Sequence, residues 1–257
     1  MKTLPLNDYD FSAGSLHFRI ATFSSLESTN SFLKEHHSSW PDFTVICAQT
    51  QTRGRGRFER TWQTGNGKGL AFSINIPVKN IPRNNWSNLS QVMALSICLF
   101  LEDLGISSCI RWPNDILINE AKICGILGEL IQSEDGYHLI LGTGLNINEN
   151  RQDFSGLDRP ATSLLIETGE EMTPPSVLEG LLSKFSAVFT QFAVSGFETL
   201  ITSVSRRLFI PDHPVKVLCG EKEIMGRITG LSEKGAVLLQ TESGVMEIVF
   251  GEITSRI

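Results

Sequence analysis

The chain has 257 residues, 41% hydrophobic and 19% charged, with a formal net charge of −6. That length buries a substantial core, either as one large domain or as a medium domain with a small partner. The acidic balance argues against a general nucleic-acid binder, and no apolar run looks long enough to span a bilayer.

In chain order, Leu16 to Phe23 alternates apolar residues and reads as a strand. Ser28 or Thr29 caps a helix that runs to about His37. Val45 to Ala48 is a short buried strand, and it leads into the most unusual stretch of the chain. Gln51-Thr52-Arg53-Gly54-Arg55-Gly56-Arg57-Phe58-Glu59-Arg60-Thr61-Trp62 places four arginines within eight residues. Guanidinium groups at that density cannot pack into a core, because each keeps its charge and carries five donors. The interleaved glycines let the backbone bend and approach a ligand. The stretch reads as a loop that closes over something anionic, with Trp62 as an apolar anchor or lid. It is not a dinucleotide fingerprint. The nearby Gly65-Asn66-Gly67-Lys68-Gly69 is not a P-loop, because Gly follows the lysine where Ser or Thr would hold magnesium.

Leu70 to Ile76 alternates and stops at Pro77, a strand with one polar face. Asn88 to Leu104 is a helix stopped by Gly105. Ile110-Arg111-Trp112 ends a strand, and Pro113 puts Asn114 and Asp115 in a turn. Ile116 to Ile118 and Ile123 to Ile131 form an antiparallel hairpin around Asn119-Glu120-Ala121, with Lys122 opening the second strand. Glu134-Asp135-Gly136 turns again, and Tyr137 to Leu141 returns into Gly142-Thr143-Gly144-Leu145-Asn146-Ile147-Asn148. A short helix capped at Thr162-Ser163 ends at Gly169, a long one starts at Pro174-Pro175 and runs to about Val194, and another covers Phe197 to Arg207. Beyond Pro214 the pattern changes to short strands: Val215 to Cys219, Ile224 to Leu231, Ala236 to Thr241 and Val245 to Phe250. These make a small antiparallel barrel, dividing the chain into residues 1–210 and 211–257.

The five cysteines are odd in number and widely spaced, which suits free buried thiols in a reducing compartment, and a cytoplasmic protein is expected. The N-terminus has no apolar core resembling a signal peptide. The histidines show no metal-ligand spacing, so no transition-metal site is expected.

Four motifs in register resemble the biotin protein ligases. Gly54-Arg55-Gly56-Arg57 followed by Arg60-Thr61-Trp62 matches that family's loop, and Ser28-Thr29-Asn30 matches its Ser-Thr-Asn. Its Lys-Trp-Pro-Asn-Asp stands here as Arg111-Trp112-Pro113-Asn114-Asp115, with arginine in place of the usual lysine. Lys122-Ile123-Cys124-Gly125-Ile126-Leu127-Gly128-Glu129 matches its Lys-x-x-Gly-Ile-Leu segment, and Glu129 is assigned no role. The resemblance covers nearly the whole chain. It implies an α+β fold: a class II synthetase-like catalytic domain, with a mixed sheet backed by helices, and a C-terminal SH3-like β-barrel. It also implies ATP-dependent formation of biotinyl-5′-adenylate, with Mg2+ on the phosphates, and transfer of biotin to a lysine of a biotin carboxyl carrier protein domain, that of acetyl-CoA carboxylase being the family's usual one.

By the same resemblance Ser28, Thr29, Asn30 and Gln51 line the biotin ureido, whose neutral cyclic urea suits short neutral donors and acceptors. Gly54, Arg55, Gly56 and Arg57 wrap over the carboxylate and phosphates, and like-charged arginines are expected to keep the loop open until ligand arrives. Lys122 bridges biotin's carboxyl and the α-phosphate. Trp62 packs on adenine or on the closed loop, and Asn146 lies near adenine and ribose. Asp115 either accepts the proton of the incoming lysine amine or holds its turn. The stretch before Leu16 has no room for a winged helix-turn-helix, so no DNA partner is expected. A monomer or weak homodimer without membrane attachment is expected. Two rivals are a lipoate-protein ligase, whose pocket should be apolar where Ser28, Thr29 and Gln51 stand, and a non-enzymatic nucleic-acid binder using the Arg-Gly loop.

Overall fold

The computed structural model describes residues 4–58, 60–63, 67–134 and 136–256, the last three of these by backbone alone. Glu59, Gly65, Asn66 and Asp135, which enter the motifs above, lie outside the described residues.

Strands β1 (Asn7–Ala13), β2 (Leu16–Leu26), β3 (Thr44–Gln51), β4 (Leu70–Pro77), β5 (Cys109–Arg111), β6 (Asp115–Ile118), β7 (Ala121–Ser133) and β8 (Gly136–Leu145) form one sheet. Their spatial order is β1-β2-β3-β4-β8-β7-β6-β5. Among the described residues, β2–β3 is the one parallel pair of neighbouring strands in this sheet. A parallel pair needs a crossover, and helix α1 (Thr29–His36) supplies it. Side chains alternate along each strand, so β8 sends Leu139, Leu141 and Leu145 to one face and Ile140, Gly142 and Gly144 to the other.

The first face is covered by α2 (Leu89–Asp103) and α4 (Pro174–Ser195), which close the main core around Phe72, Leu141, Phe185 and Phe192. Helix α4 is long and apolar enough to cross a bilayer by length and composition, contrary to the sequence reading, yet half of its most apolar stretch is buried inside the chain. The opposite face carries α1 on a smaller cluster of Ala21, Phe23, Leu33, Ile46 and Ile140. The rest of that face, over Gly142 and Gly144, is left to the site. A short helix α3 (Leu164–Thr168) follows, capped by the Ser163 hydroxyl and closed by Gly169 in the left-handed conformation.

The helix expected over Phe197 to Arg207 is instead a 3-10 turn, Phe197–Thr199, and a five-residue helix α5 (Ile201–Ser205). Strand β1 is not in the sequence reading at all. It pairs with β2 from Asn7 opposite Thr22 to Ala13 opposite Leu16.

A second sheet follows, with β9 (Val215–Cys219), β10 (Lys222–Leu231), β11 (Val237–Thr241), β12 (Gly244–Ile248) and β13 (Glu252–Arg256) in the order β12-β11-β10-β9-β13. Strand β13 is a further addition to the sequence reading. The second core contains Val215, Val217, Ile228, Val237, Leu239 and Ile248, and Trp112 reaches into it from the first unit. Trp112 is 4% exposed and its Nε1 donates to Gly235 O at 3.2 Å. Gln91 Nε2 donates to the same carbonyl at 2.7 Å, and Asn88 Nδ2 to Lys234 O at 2.9 Å. The aromatic residue of the Arg111–Asp115 motif is thus a rivet between the two sheets.

Candidate active site

The arginine stretch folds back on itself. Trp62 N donates to Gly54 O at 3.0 Å and Gly56 N to Arg60 O at 2.7 Å, with Phe58 at positive φ near the tip. A side chain at position 54 would lie against the Trp62 carbonyl oxygen, at 2.2 Å from its Cβ, so glycine is required there. The sequence leads one to expect repulsion among the four guanidinium groups. The fold separates them by giving each its own acceptor. Arg53 faces Glu27 at 3.7 Å, Arg55 meets Glu129 at 3.0 Å, Arg57 donates to Asn114 Oδ1 at 3.3 Å, and Arg60 pairs with Glu252. Arg57 also lies 5.0 Å from the Phe58 ring centre and 5.6 Å from that of Phe250. Burial pulls the proton affinity of Arg57 down, and the nearby carboxylates Glu252 and Asp115 oppose that.

This loop roofs a cavity over the open face of the large sheet. Of the residues singled out in the sequence, Ser28, Thr29, Asn30, Gln51, Arg55, Gly56, Arg57, Trp62, Asp115 and Lys122 line it. Gly54 lies on the outer side of the loop, where it shapes the hairpin. Asn146 is not among the lining residues. Its Nδ2 donates to Thr162 O at 2.8 Å and to Lys122 O at 3.4 Å, so it fastens the chain behind Lys122. Sequence reasoning did not anticipate Arg60, Arg111, Arg159, Glu252 or Ile253 as wall residues. The last two come from β13 in the second sheet.

The cavity has two chemically different ends. At one end, α1 brings in Ser28, Thr29 and Asn30. Ser28 caps the helix through Ser31 N, so its position is fixed by secondary structure. Gln51 Oε1 accepts the Thr29 backbone N–H at 2.9 Å. Asn30 is 3% exposed and presses on the sheet at Gly142, where a Cβ would stand 2.1 Å from its Oδ1. This end is neutral and polar.

At the other end, five cations (Arg57, Arg60, Arg111, Arg159 and Lys122) face two carboxylates, Asp115 and Glu252, while Arg55 reaches to Glu129 beside the cradle. The excess is five minus two, or three positive charges, in a chain that is acidic as a whole. Asp115 sits between Lys122 Nζ at 2.7 Å and Arg111 Nη2 at 2.5 Å. Burial would raise its proton affinity, but Lys122 and Arg111 together hold the carboxyl below its usual value. The arginine at position 111 therefore has a definite partner. Its fork takes one Asp115 oxygen and leaves the other to Lys122. Trp62 lies flat on the sheet beside them: a Cβ on Gly144 would meet its ring at 2.1 Å, and Lys122 Nζ is 5.6 Å from the ring centre.

A polar neutral end beside a cationic basin suits a bipartite ligand, uncharged at one extremity and anionic in the middle. The basin can bring two anions together and stabilise charge that builds up between them.

Comparison with known proteins gives a consistent result. The profile described as the Biotin/lipoate A/B protein ligase family matches residues 22–146, and the Biotin protein ligase C terminal domain matches residues 212–254. The bifunctional ligase/repressor BirA of Bacillus subtilis is 33% identical over 218 residues, 83% of this chain and 66% of the relative. The chain thus spans about two thirds of that relative's length. The biotin--[acetyl-CoA-carboxylase] ligase of Mycobacterium tuberculosis is 25% identical over 254 residues, covering 96% of this chain and 93% of the relative. Among solved structures, the biotin protein ligase from Aquifex aeolicus in complex with biotin and ATP superposes with a TM-score of 0.80 at 34% identity, over 91% of this chain and 97% of that one.

Proposed function

Since the chain belongs to the biotin protein ligase family, we propose that it joins biotin to ATP as biotinyl-5′-adenylate and then passes the biotinyl group to a lysine amine of a carrier protein. The observation that carries this reading is the joining, in one cavity, of a neutral polar cradle to a cationic basin. Biotin's ureido enters the cradle of Ser28, Thr29, Asn30 and Gln51, and its carboxylate reaches the basin.

Two anions must meet for the first step. The carboxylate oxygen attacks the α-phosphorus and pyrophosphate leaves. Lys122 lies in the basin beside Asp115, where it neutralises both partners, and Arg55 and Arg57 close over them. Closure keeps water from the mixed anhydride. In the second step the lysine amine attacks the acyl carbon and AMP leaves. A metal would help to neutralise the triphosphate, but among the described residues no group of ligands forms a cradle for one. Asp115, Glu129 and Glu252 each face a cation already. Mg2+ would enter on the nucleotide, with phosphate oxygens as its ligands.

Three finer points belong to the same reading. The second sheet is an SH3-like barrel whose β13 finishes the wall of the site, and the first unit, residues 1–210, is a class II synthetase-like catalytic domain. The carrier is the biotin carboxyl carrier domain of acetyl-CoA carboxylase. The protein acts in the cytoplasm as a monomer or weak homodimer. The rivals fit less well. A nucleic-acid-binding loop displays its guanidinium groups outward, whereas Arg55, Arg57 and Arg60 line a cavity. A lipoate pocket would be apolar where Ser28, Thr29 and Gln51 stand.

The test is exchange of labelled pyrophosphate into ATP. Exchange that requires biotin, is not supported by lipoate, and falls at least a hundredfold in a folded Lys122→Ala variant is the expected result. Exchange supported by lipoate alone would overturn the reading.

A further inference from the structure

Among the described residues, Glu129 is the carboxylate beside the cradle that the reaction scheme leaves without a task. It stands on β7, its side chain 16% exposed. Three donors converge on it: Asn30 Nδ2 at 2.9 Å, Lys34 Nζ at 2.8 Å and Arg55 Nη1 at 3.0 Å. Burial works to protonate it, but the bonds from Lys34 and Asn30, with the nearby Arg55 charge, keep it ionised.

We propose that Glu129 is a positioning residue for the biotin cradle: it fixes which way the Asn30 amide faces and thereby sets the pattern of donors and acceptors offered to a cyclic urea. The proposal rests on the ligase reading above.

An ionised carboxylate only accepts hydrogen bonds, so the Asn30 nitrogen must face it. The second N–H of that nitrogen goes to Leu127 O at 3.2 Å, and both donors are then spent. Asn30 Oδ1 is left 2.5 Å from Ser73 Oγ, and Ser73 Oγ is 2.7 Å from Thr29 Oγ1. A hydroxyl has one proton. Oδ1 has none, so the Ser73 proton goes to Oδ1. The Thr29 hydroxyl then donates to Ser73, or to Gln51 Oε1 at 3.3 Å. In either case its proton is spent inside the protein and its oxygen meets the cavity as an acceptor. A urea N–H is the group that pairs with such an oxygen.

A glutamine at position 129 both donates and accepts, so it no longer dictates the direction. With Nδ2 turned to Ser73 and away from Leu127 O, Ser73 donates to Thr29, and the Thr29 proton is left to Gln51 Oε1 or to the cavity, where it meets the urea N–H donor against donor. The measurement is KM and kcat for biotin and for ATP in pyrophosphate exchange, with thermal unfolding recorded for each variant. Glu129→Gln and Ser73→Ala are each expected to raise the biotin KM about tenfold. Because both act through one chain of bonds, the double variant should stand near the single ones rather than at a hundredfold. Glu129→Asp should recover part of the loss.

A purely structural role for Glu129 would lower the unfolding temperature without this pattern. A folded Glu129→Gln enzyme with a biotin KM within twofold of the parent overturns the proposal, as does an additive double variant. If Glu129→Gln does not fold, unmoved biotin KM values in both Ser73→Ala and Glu129→Asp overturn it equally. Failure of the parent protein to exchange pyrophosphate would instead refute the ligase reading. An active parent beside an unaltered Glu129→Gln enzyme would refute only this assignment.

Discussion

Replacing Asp115 by asparagine separates two tasks the residue has been given. The carboxylate is held between Lys122 at 2.7 Å and Arg111 at 2.5 Å, with a side chain 12% exposed. Opposite charges in contact at an effective dielectric near 20 attract by roughly 5 kcal/mol, and desolvation returns most of that. Removing one member of such a buried group costs about 3–5 kcal/mol. Lys122 is partly exposed, so the lower figure applies here, about 3 kcal/mol.

Suppose about 2 kcal/mol of this reaches the transition state through a misplaced Lys122. The adenylation rate then falls roughly thirtyfold. A carboxyl whose cations keep it below the ordinary aspartate value is a weak base for an ammonium group, so transfer should fall by a similar factor for the same reason. The assay runs both half-reactions: pyrophosphate exchange, then single-turnover transfer from preformed biotinyl-adenylate to a carrier domain. If Asp115→Asn adenylates at the parent rate and loses only transfer, the charge-holding argument is wrong and the residue is a base.

Three other outcomes follow from the geometry. Arg57→Ala removes a cation from the roof, and adenylate made by this variant should escape and hydrolyse faster; an unchanged lifetime, measured by quenching over time, counts against the lid. Gly142→Ala puts a Cβ 2.1 Å from Asn30 Oδ1 and breaks the buried amide's bonds, costing about 2–3 kcal/mol. Its unfolding temperature should drop by roughly 4–12 °C and its biotin KM rise; a melt within a degree of the parent would refute the close approach. Asp115 and Glu129 both have carboxyls held below their usual values of 3.8 and 4.5. Their stabilisation is therefore complete above those values and is lost as pH falls through the lower folded-state values. Acid unfolding should set in below about pH 4, and an Asp115→Asn protein should lose less stability over that range.

Local chemistry was legible in the sequence, and distant pairing was not. Arginine density, the Ser28 cap and the Pro113 turn are each written in a few neighbouring residues, although Asp115, expected in that turn, opens β6 instead. Lys122 was found because it belongs to a run. Glu129 ends that same run, so the signal was adjacent, but its partners Lys34 and Arg55 are 95 and 74 positions away. No spacing rule connects such residues. Glu252 was missed for the same reason, together with the strand that carries it. Strand β1 was missed because Asn7, Asp8 and Asp10 dilute an alternation of Tyr9, Phe11 and Ala13. Asn146, expected near adenine and ribose, does not border the cavity. Its neighbours Gly142 and Gly144 do border the cavity, but the chain leaves the sheet at Leu145, and its amide turns back to hold two carbonyls.

Strand β13 is paired on one side only, with β9 between Val215 and Leu218. Edge strands are among the first parts of a sheet to fray. When this one lets go, Glu252 withdraws from Arg60 and one flank of the reaction chamber goes with it. A ribosome, too, will have delivered every wall residue but Ile253 before it reaches position 252. Competence for chemistry thus waits for the second sheet and departs early in denaturation, and loss of turnover should precede loss of the main core on gentle heating.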